Sequence, residues 1–229
     1  MKKYCAVYAV FLASVVLSLN VCGQNKPADK MQAIVVESKS NPEDKAAQWV
    51  VSLNLNDLAK EERVKQVIIT HLKAVRDWNN DHPYTLVPEG INPITGKVLN
   101  KLERQVIVNS TIPKSVHENL MTGLKKDLTE IQVETILDLY TIGKVAFTMN
   151  GYKSIVPNLT PEEEAVILSN LKLAREQAVD YKNMEQISTI FKIYKTKIED
   201  YFNNNGRNWK QMYKAYSDAA KAKKTQTDQ

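Results

Sequence analysis

Cysteine is nearly missing from this chain: the only two, Cys5 and Cys22, stand within the first 23 residues. Everything after them has no disulfide, thiol nucleophile or cysteine-based metal site to draw on. Glycine and proline are also sparse, at seven and eight residues. That scarcity, with apolar residues recurring at helical spacing, excludes a turn-rich β architecture and favours an all-α class. Only one long apolar run is present, at the N-terminus. An excess of one charge is lacking too, with 31 Lys and Arg against 26 Asp and Glu. So mild a balance does not argue for nucleic acid, which usually calls for a clustered basic face.

What the N-terminus does have is Lys2 and Lys3 ahead of an apolar stretch from Cys5 to Leu19, with no acid before Asp29. That is the layout of a secretory signal peptide, with cleavage expected after Gly23. A lipoprotein reading through Cys22 competes, but Val21 is a poor residue immediately before a lipidated cysteine. A retained membrane helix ranks third, because the run is short for a bilayer span. Removing two lysines and no acids takes the formal charge from +5 to +3. The expected organisation is a signal peptide at 1–23, a flexible leader at 24–40, a helical domain at 41–223 and a disordered tail at 224–229. About 206 residues are enough for one proper core. The product is expected in the periplasm or outside the cell, with no integral membrane segment once the signal is removed.

Helix starts are the clearest local signals. Asn41 and Pro42 open one helix, and a second, from about Asp57 to Asn79, carries Val64, Ile68, Leu72 and Val75 on one stripe. Thr129 with Gln132, and Thr160 with Glu163 behind Pro161, have capping-box spacing. Long helices are expected over 160–181, 184–202 and 207–223, with "NNNG" at 203–206 as a stop. The sum is a single bundle-like domain of about seven helices. One segment resists: in "KVAFTMNGYKSIVPN" two β-prone runs flank Asn150-Gly151, a hairpin signal. The same residues also read as one helix ending and another beginning, and the hairpin is favoured.

The stretch "RDWNNDHPYTLVPEGINPITGK", Arg76 to Lys97, is a long loop dense in aromatic and polar residues. Loops on a rigid scaffold often carry function. Trp78 and Tyr84 offer flat apolar faces, while Arg76, Asp77, Asn79, Asp81 and His82 offer donors and acceptors, the combination that recognises sugars. Burial of Trp78 under the loop, and capping by Asn79, Asn80 and Asp81, are the competing structural explanations. Lys97, Arg104 and Lys114 would favour an acidic sugar, although scattered surface cations read the same. "GINPITGK" imitates a phosphate loop but has five residues where four are needed, one of them Pro93, which removes an amide donor. The three histidines, His71, His82 and His117, lack any zinc-type spacing. No cofactor and no metal are expected. Trp49 and Trp209 have core-like helical placement.

"WVVSLNL" (49–55), "HLKAVRDWNNDHP" (71–83), "PKSVHENL" (113–120), "GKVAFTMNGY" (143–152) and "VPNLTPEEEAVI" (156–167) together resemble the domain-of-unknown-function family 3826. The resemblance implies an exported protein of Gram-negative polysaccharide-degrading bacteria, encoded among carbohydrate-utilisation genes, with sugar binding as its expected role. It transfers no catalytic residue. "LTEIQ" at 128–132 also resembles an element of small periplasmic stress chaperones, which capping explains equally well. The expected function is thus an exported, non-catalytic carbohydrate-binding or accessory protein of glycan utilisation, its partner an oligosaccharide or polysaccharide. The alternatives are a glycan hydrolase or lyase using the loop carboxylates and His82, and a chaperone-like helical protein.

Overall fold

The structure is a computed structural model that describes residues 41–93 and 95–227, without the side chains of 224–227. The expected signal peptide and leader lie outside the described residues. Nine α-helices are present among those described: α1 Pro42–Val51, α2 Leu58–Asp81, α3 Lys101–Asn109, α4 Lys114–Asp127, α5 Glu130–Tyr140, α6 Lys144–Ile155, α7 Pro161–Ala178, α8 Met184–Asn204 and α9 Trp209–Thr227. The fold is mainly α, as the composition implied. Among the described residues the only β feature is an isolated antiparallel bridge between Ile91 and Val98. None of these helices is long and apolar enough to cross a membrane.

Local chemistry places the helix starts. The Asn41 side chain accepts a hydrogen bond from the Asp44 amide at 2.7 Å, and Asp57 does the same for Lys60 at 3.0 Å. Both expected capping boxes form, at Thr129 with Gln132 and at Thr160 with Glu163, and a third joins Asn100 to Glu103. Each satisfies amide hydrogens that a helix end leaves unpaired.

Two apolar clusters hold the helices together. The first joins α1, α2, α4 and α5 through residues such as Trp49, Ile68, Leu124 and Ile136. The second joins α3, α6, α7 and α8 through Val106, Tyr152, Leu171 and Phe202, with Trp209 and Met212 of α9 packed on its edge. Each fully buried side chain of this size contributes roughly 1.5–3 kcal/mol.

The segment expected to form a hairpin is instead helix α6, with Asn150-Gly151 inside it. Val145, Tyr152 and Val156 are buried and Met149 is packed beside them in the second cluster. They recur every three to four residues, a helical stripe, and burying it outweighs the turn preference of Asn-Gly. Gly151 adopts no left-handed conformation here.

The loop is shorter than expected. α2 runs on to Asp81, so Arg76 to Asp81 are its last turns, followed by a 3-10 turn at Tyr84–Leu86. "GINPITGK" closes as a reverse turn, with the Leu99 amide donating to Gly90 O at 2.9 Å and Asn92 to Lys97 O at 2.8 Å.

Candidate functional site

The residues expected to bind sugar at the end of α2 mostly meet protein partners. Arg76 pairs with the adjacent Asp77 at 2.8 Å. The Trp78 indole stacks on the His82 ring, with centroids 3.7 Å apart and planes 15° off parallel, and its Nε1–H is buried without a partner. His82 Nδ1–H donates to Trp78 O at 2.9 Å, which fixes the imidazole. Asn79 Oδ1 accepts from Asn109 Nδ2 at 2.9 Å and from Gln186 Nε2 at 2.8 Å, joining α2 to α3 and α8. Asp81 is exposed at the helix end. The Tyr84 ring lies beneath the Arg104 guanidinium, 5.2 Å from its centroid, and Arg104 Nε also donates to Val87 O at 2.8 Å. Arg104 and Gln105, which reaches His82 O at 2.9 Å, therefore pin the returning chain to α3.

An aromatic cleft of about 590 Å³ opens elsewhere, among α6, α8 and α9. Trp209 begins α9 and anchors it: its ring stacks on Phe202, 7° from parallel, and meets Tyr152 at 5.3 Å. Arg207 fixes the approach to that helix, reaching Glu163 Oε2 at 2.7 Å, Pro157 O at 3.0 Å and Asn158 O at 3.1 Å. So held, α9 presents Tyr213 and Tyr216 on the face that carries Trp209, 53% and 42% exposed, while Phe147 of α6 stands 79% exposed in the same cleft. Exposed aromatic rings gathered in one cleft signal a binding surface. Thr148, Asn150 and Ser154 add polar groups, and Lys195 and Glu199 supply charge from α8. Burial raises the Glu199 carboxyl, with Lys195 opposing and Asp200 reinforcing the shift.

A second arrangement joins distant histidines. Asp180, in the short link after α7, accepts from His71 Nε2 at 3.0 Å and from His117 Nδ1 at 2.9 Å. His71 Nδ1 faces the Tyr140 hydroxyl at 3.1 Å. With Asp180 ionised, His71 donates through Nε2–H and accepts the Tyr140 O–H at Nδ1, so every polar atom of the buried trio is satisfied. Burial works to raise the Asp180 carboxyl, yet hydrogen bonds from His117 and His71 outweigh it and hold it below its ordinary range. The Asp180 hydrogen bond raises the His117 imidazole, against the opposing effect of burial. Its Nε2 lies 3.7 Å from Glu176 Oε1, on a cleft of about 480 Å³ that Pro113, Leu173 and Tyr194 also line. No group of three or more His, Cys, Asp or Glu among the described residues is placed to hold a metal ion.

Trp209 packs on the core as expected, but with one edge in the aromatic cleft. The Trp209, Tyr213, Tyr216 spacing of i, i+4, i+7 was visible in the sequence as an aromatic stripe on a polar helix. Phe147 was hidden by the hairpin reading, and the Asp180 trio carries no local signal. No curated protein matches the chain. A family model described as "Protein of unknown function (DUF3826)" matches residues 39–222, from just before α1 into α9, and the chain belongs to that family.

Proposed function

We propose that this is an exported, non-catalytic carbohydrate-binding protein of glycan utilisation, and that sugar sits in the cleft among α6, α8 and α9. The observation that carries this reading is the set of exposed aromatic rings of Phe147, Tyr213 and Tyr216 around one cleft with polar and charged side chains between them. Sugar rings present C–H faces that stack on aromatics and hydroxyls that need directional partners, and this lining offers both. Export is supported by the signal-peptide layout of residues 1–23, and the glycan context by the resemblance of the quoted segments. On this reading Arg76, Asp77, Trp78, Asn79, Asp81, His82 and Tyr84 serve mainly to close the end of α2, where Arg76 pairs with Asp77, Trp78 stacks on His82, Asn79 binds Asn109 and Gln186, and Tyr84 lies under Arg104.

The test is titration of the protein with plant-glycan oligosaccharides, followed through tryptophan fluorescence, for which Trp209 is placed as reporter. Tyr213→Ala should weaken binding by about tenfold, the equivalent of one lost stacking contact. Trp78→Ala should leave it unchanged. Failure of every glycan to bind, or full affinity in both Tyr213→Ala and Phe147→Ala, defeats the assignment. Suppression of aggregation of unrelated unfolded proteins, independent of sugar, would instead favour the chaperone-like reading.

A glycan-active enzyme is the second reading, favoured by one observation: His117 is oriented by a carboxylate at Nδ1 while Nε2 opens on a cleft, the layout of a general acid–base group. Product release from a polysaccharide panel, abolished in His117→Gln, would establish it.

A further inference from the structure

The aromatic cleft does not end at Tyr216. Tyr216, Ser154 and Ile155 also line a second cleft of about 880 Å³, which continues past the end of α6 and Pro157 along the later half of α9. On α9 the first cleft uses Trp209, Tyr213 and Tyr216, and the second uses Met212, Ala215, Ala219 and Lys223. At about 100° per residue these are adjoining stripes of one helix that meet at Tyr216. Both clefts are open grooves rather than closed cavities, and together they are far larger than one sugar ring needs. From Trp209 to Tyr213 the helix rises about 6 Å, and from Tyr213 to Tyr216 about 4.5 Å. Each step is comparable with the length of one pyranose unit in a chain. Beside Tyr216 the second groove has Ala215, and beyond it Ala219 and Ala220, whose short side chains leave the groove floor open.

Resting on the carbohydrate reading above, we propose that the ligand is a glycan chain gripped along its length over several successive units, and not a monosaccharide or a chain end. Tyr213 carries a unit in the first cleft, Tyr216 carries the unit at the junction, and the following units lie over the alanine face. A closed pocket for a single sugar would have walls at both ends of the aromatic row. This groove has a continuation in place of the wall.

The experiment measures affinity for a ladder of chain lengths cut from whichever plant glycan binds, from the monosaccharide upward, in the wild-type protein and in Ala219→Trp. Ala219 is exposed, so the substitution fills the second groove without disturbing the core, and an unchanged melting temperature checks this. Affinity should climb by about tenfold or more as the chain becomes long enough to pass Tyr216. Ala219→Trp should reduce long chains to the affinity of short ones while leaving short chains unaffected. Affinity independent of length, or long-chain affinity untouched in Ala219→Trp, overturns the inference and leaves the carbohydrate reading standing. Absence of binding to every glycan overturns both.

Discussion

Asp180 grips His117 at 2.9 Å with one carboxylate oxygen while its other oxygen holds His71 at 3.0 Å. The two imidazoles differ in exposure, 1% for the His71 side chain and 25% for His117. One carboxylate in the link after α7 thereby ties down α2 and α4, two helices of the other apolar cluster. Its buried partner has both ring nitrogens hydrogen-bonded, one to Asp180 and one to Tyr140. Its outer partner is reached by solvent.

That difference predicts how stability follows pH. The His117 imidazole is raised in the folded protein from its ordinary 6.5, so its contribution is complete below 6.5 and is lost as pH climbs through the raised value. The Asp180 carboxyl is lowered from 3.8, so its contribution is complete above 3.8 and is lost as pH falls through the lowered value. Denaturant unfolding should therefore show stability falling from mildly acid toward mildly alkaline pH, and His117→Gln should flatten that fall. Asp180→Ala, which leaves a buried ring nitrogen of His71 without its partner, should cost about 1–3 kcal/mol. Identical pH slopes in wild type and His117→Gln would refute the assignment.

Gly123 lets α4 lie close on α2. A Cβ there would sit 2.6 Å from Val67 Cγ2 and 2.8 Å from Cγ1, inside any tolerable contact. Val67 is β-branched and stiff on its helix, so it yields poorly. Gly123→Ala should destabilise by roughly 1–3 kcal/mol through overpacking, despite the better helix propensity of alanine. Adding Val67→Ala should recover part of the loss, and a double-mutant cycle measures the coupling.

Ile142 holds φ at 52°, a left-handed conformation that disfavours a β-branched side chain. It sits beside Gly143 at the turn between α5 and α6, 39% exposed, so backbone strain is set against partial burial of the side chain. Ile142→Asn should relieve about 1 kcal/mol of strain and raise the melting temperature by roughly 2–4 °C. A melting temperature that falls would mean the isoleucine contributes packing that outweighs its backbone.

Asn109 is the buried centre of the amide network under the end of α2, with Asn79, Gln105 and Gln186 around it. Asn109→Ala should cost about 1–3 kcal/mol, because Asn79, Gln105 and Gln186 would each lose one hydrogen bond at a buried position. Asn79→Ala should behave likewise. Neither should alter glycan affinity once the protein is folded, and a selective loss of binding in Asn79→Ala would return the sugar site to the helix end.

Much of the helical layout was legible because its determinants are local. The pairs Thr129 with Gln132 and Thr160 with Glu163 lie three residues apart, within one turn, and each formed the box its spacing implied. The stripe of Val64, Ile68 and Val75 likewise faces the core. The misreading of Lys144 to Asn158 has an equally local origin. Asn-Gly carries a turn preference worth little beside the burial of Val145, Tyr152 and Val156, and propensity yields when the two conflict.

The sequence by itself determined the class, the helix starts and the absence of cysteine chemistry after the first 23 residues, all properties of composition or of neighbours along the chain. Only the tertiary structure decided which polar residues converge. His71 and Asp180 are 109 positions apart and His117 and Asp180 are 63 apart. No spacing rule connects them, because packing of α2 and α4 against the end of α7 is what closes the distance. The same holds for the aromatic cleft. Its stripe on α9 has helical spacing, but Trp209 was expected only in the core, and Phe147 became its partner only when α6 formed and Arg207 set α9 beside it.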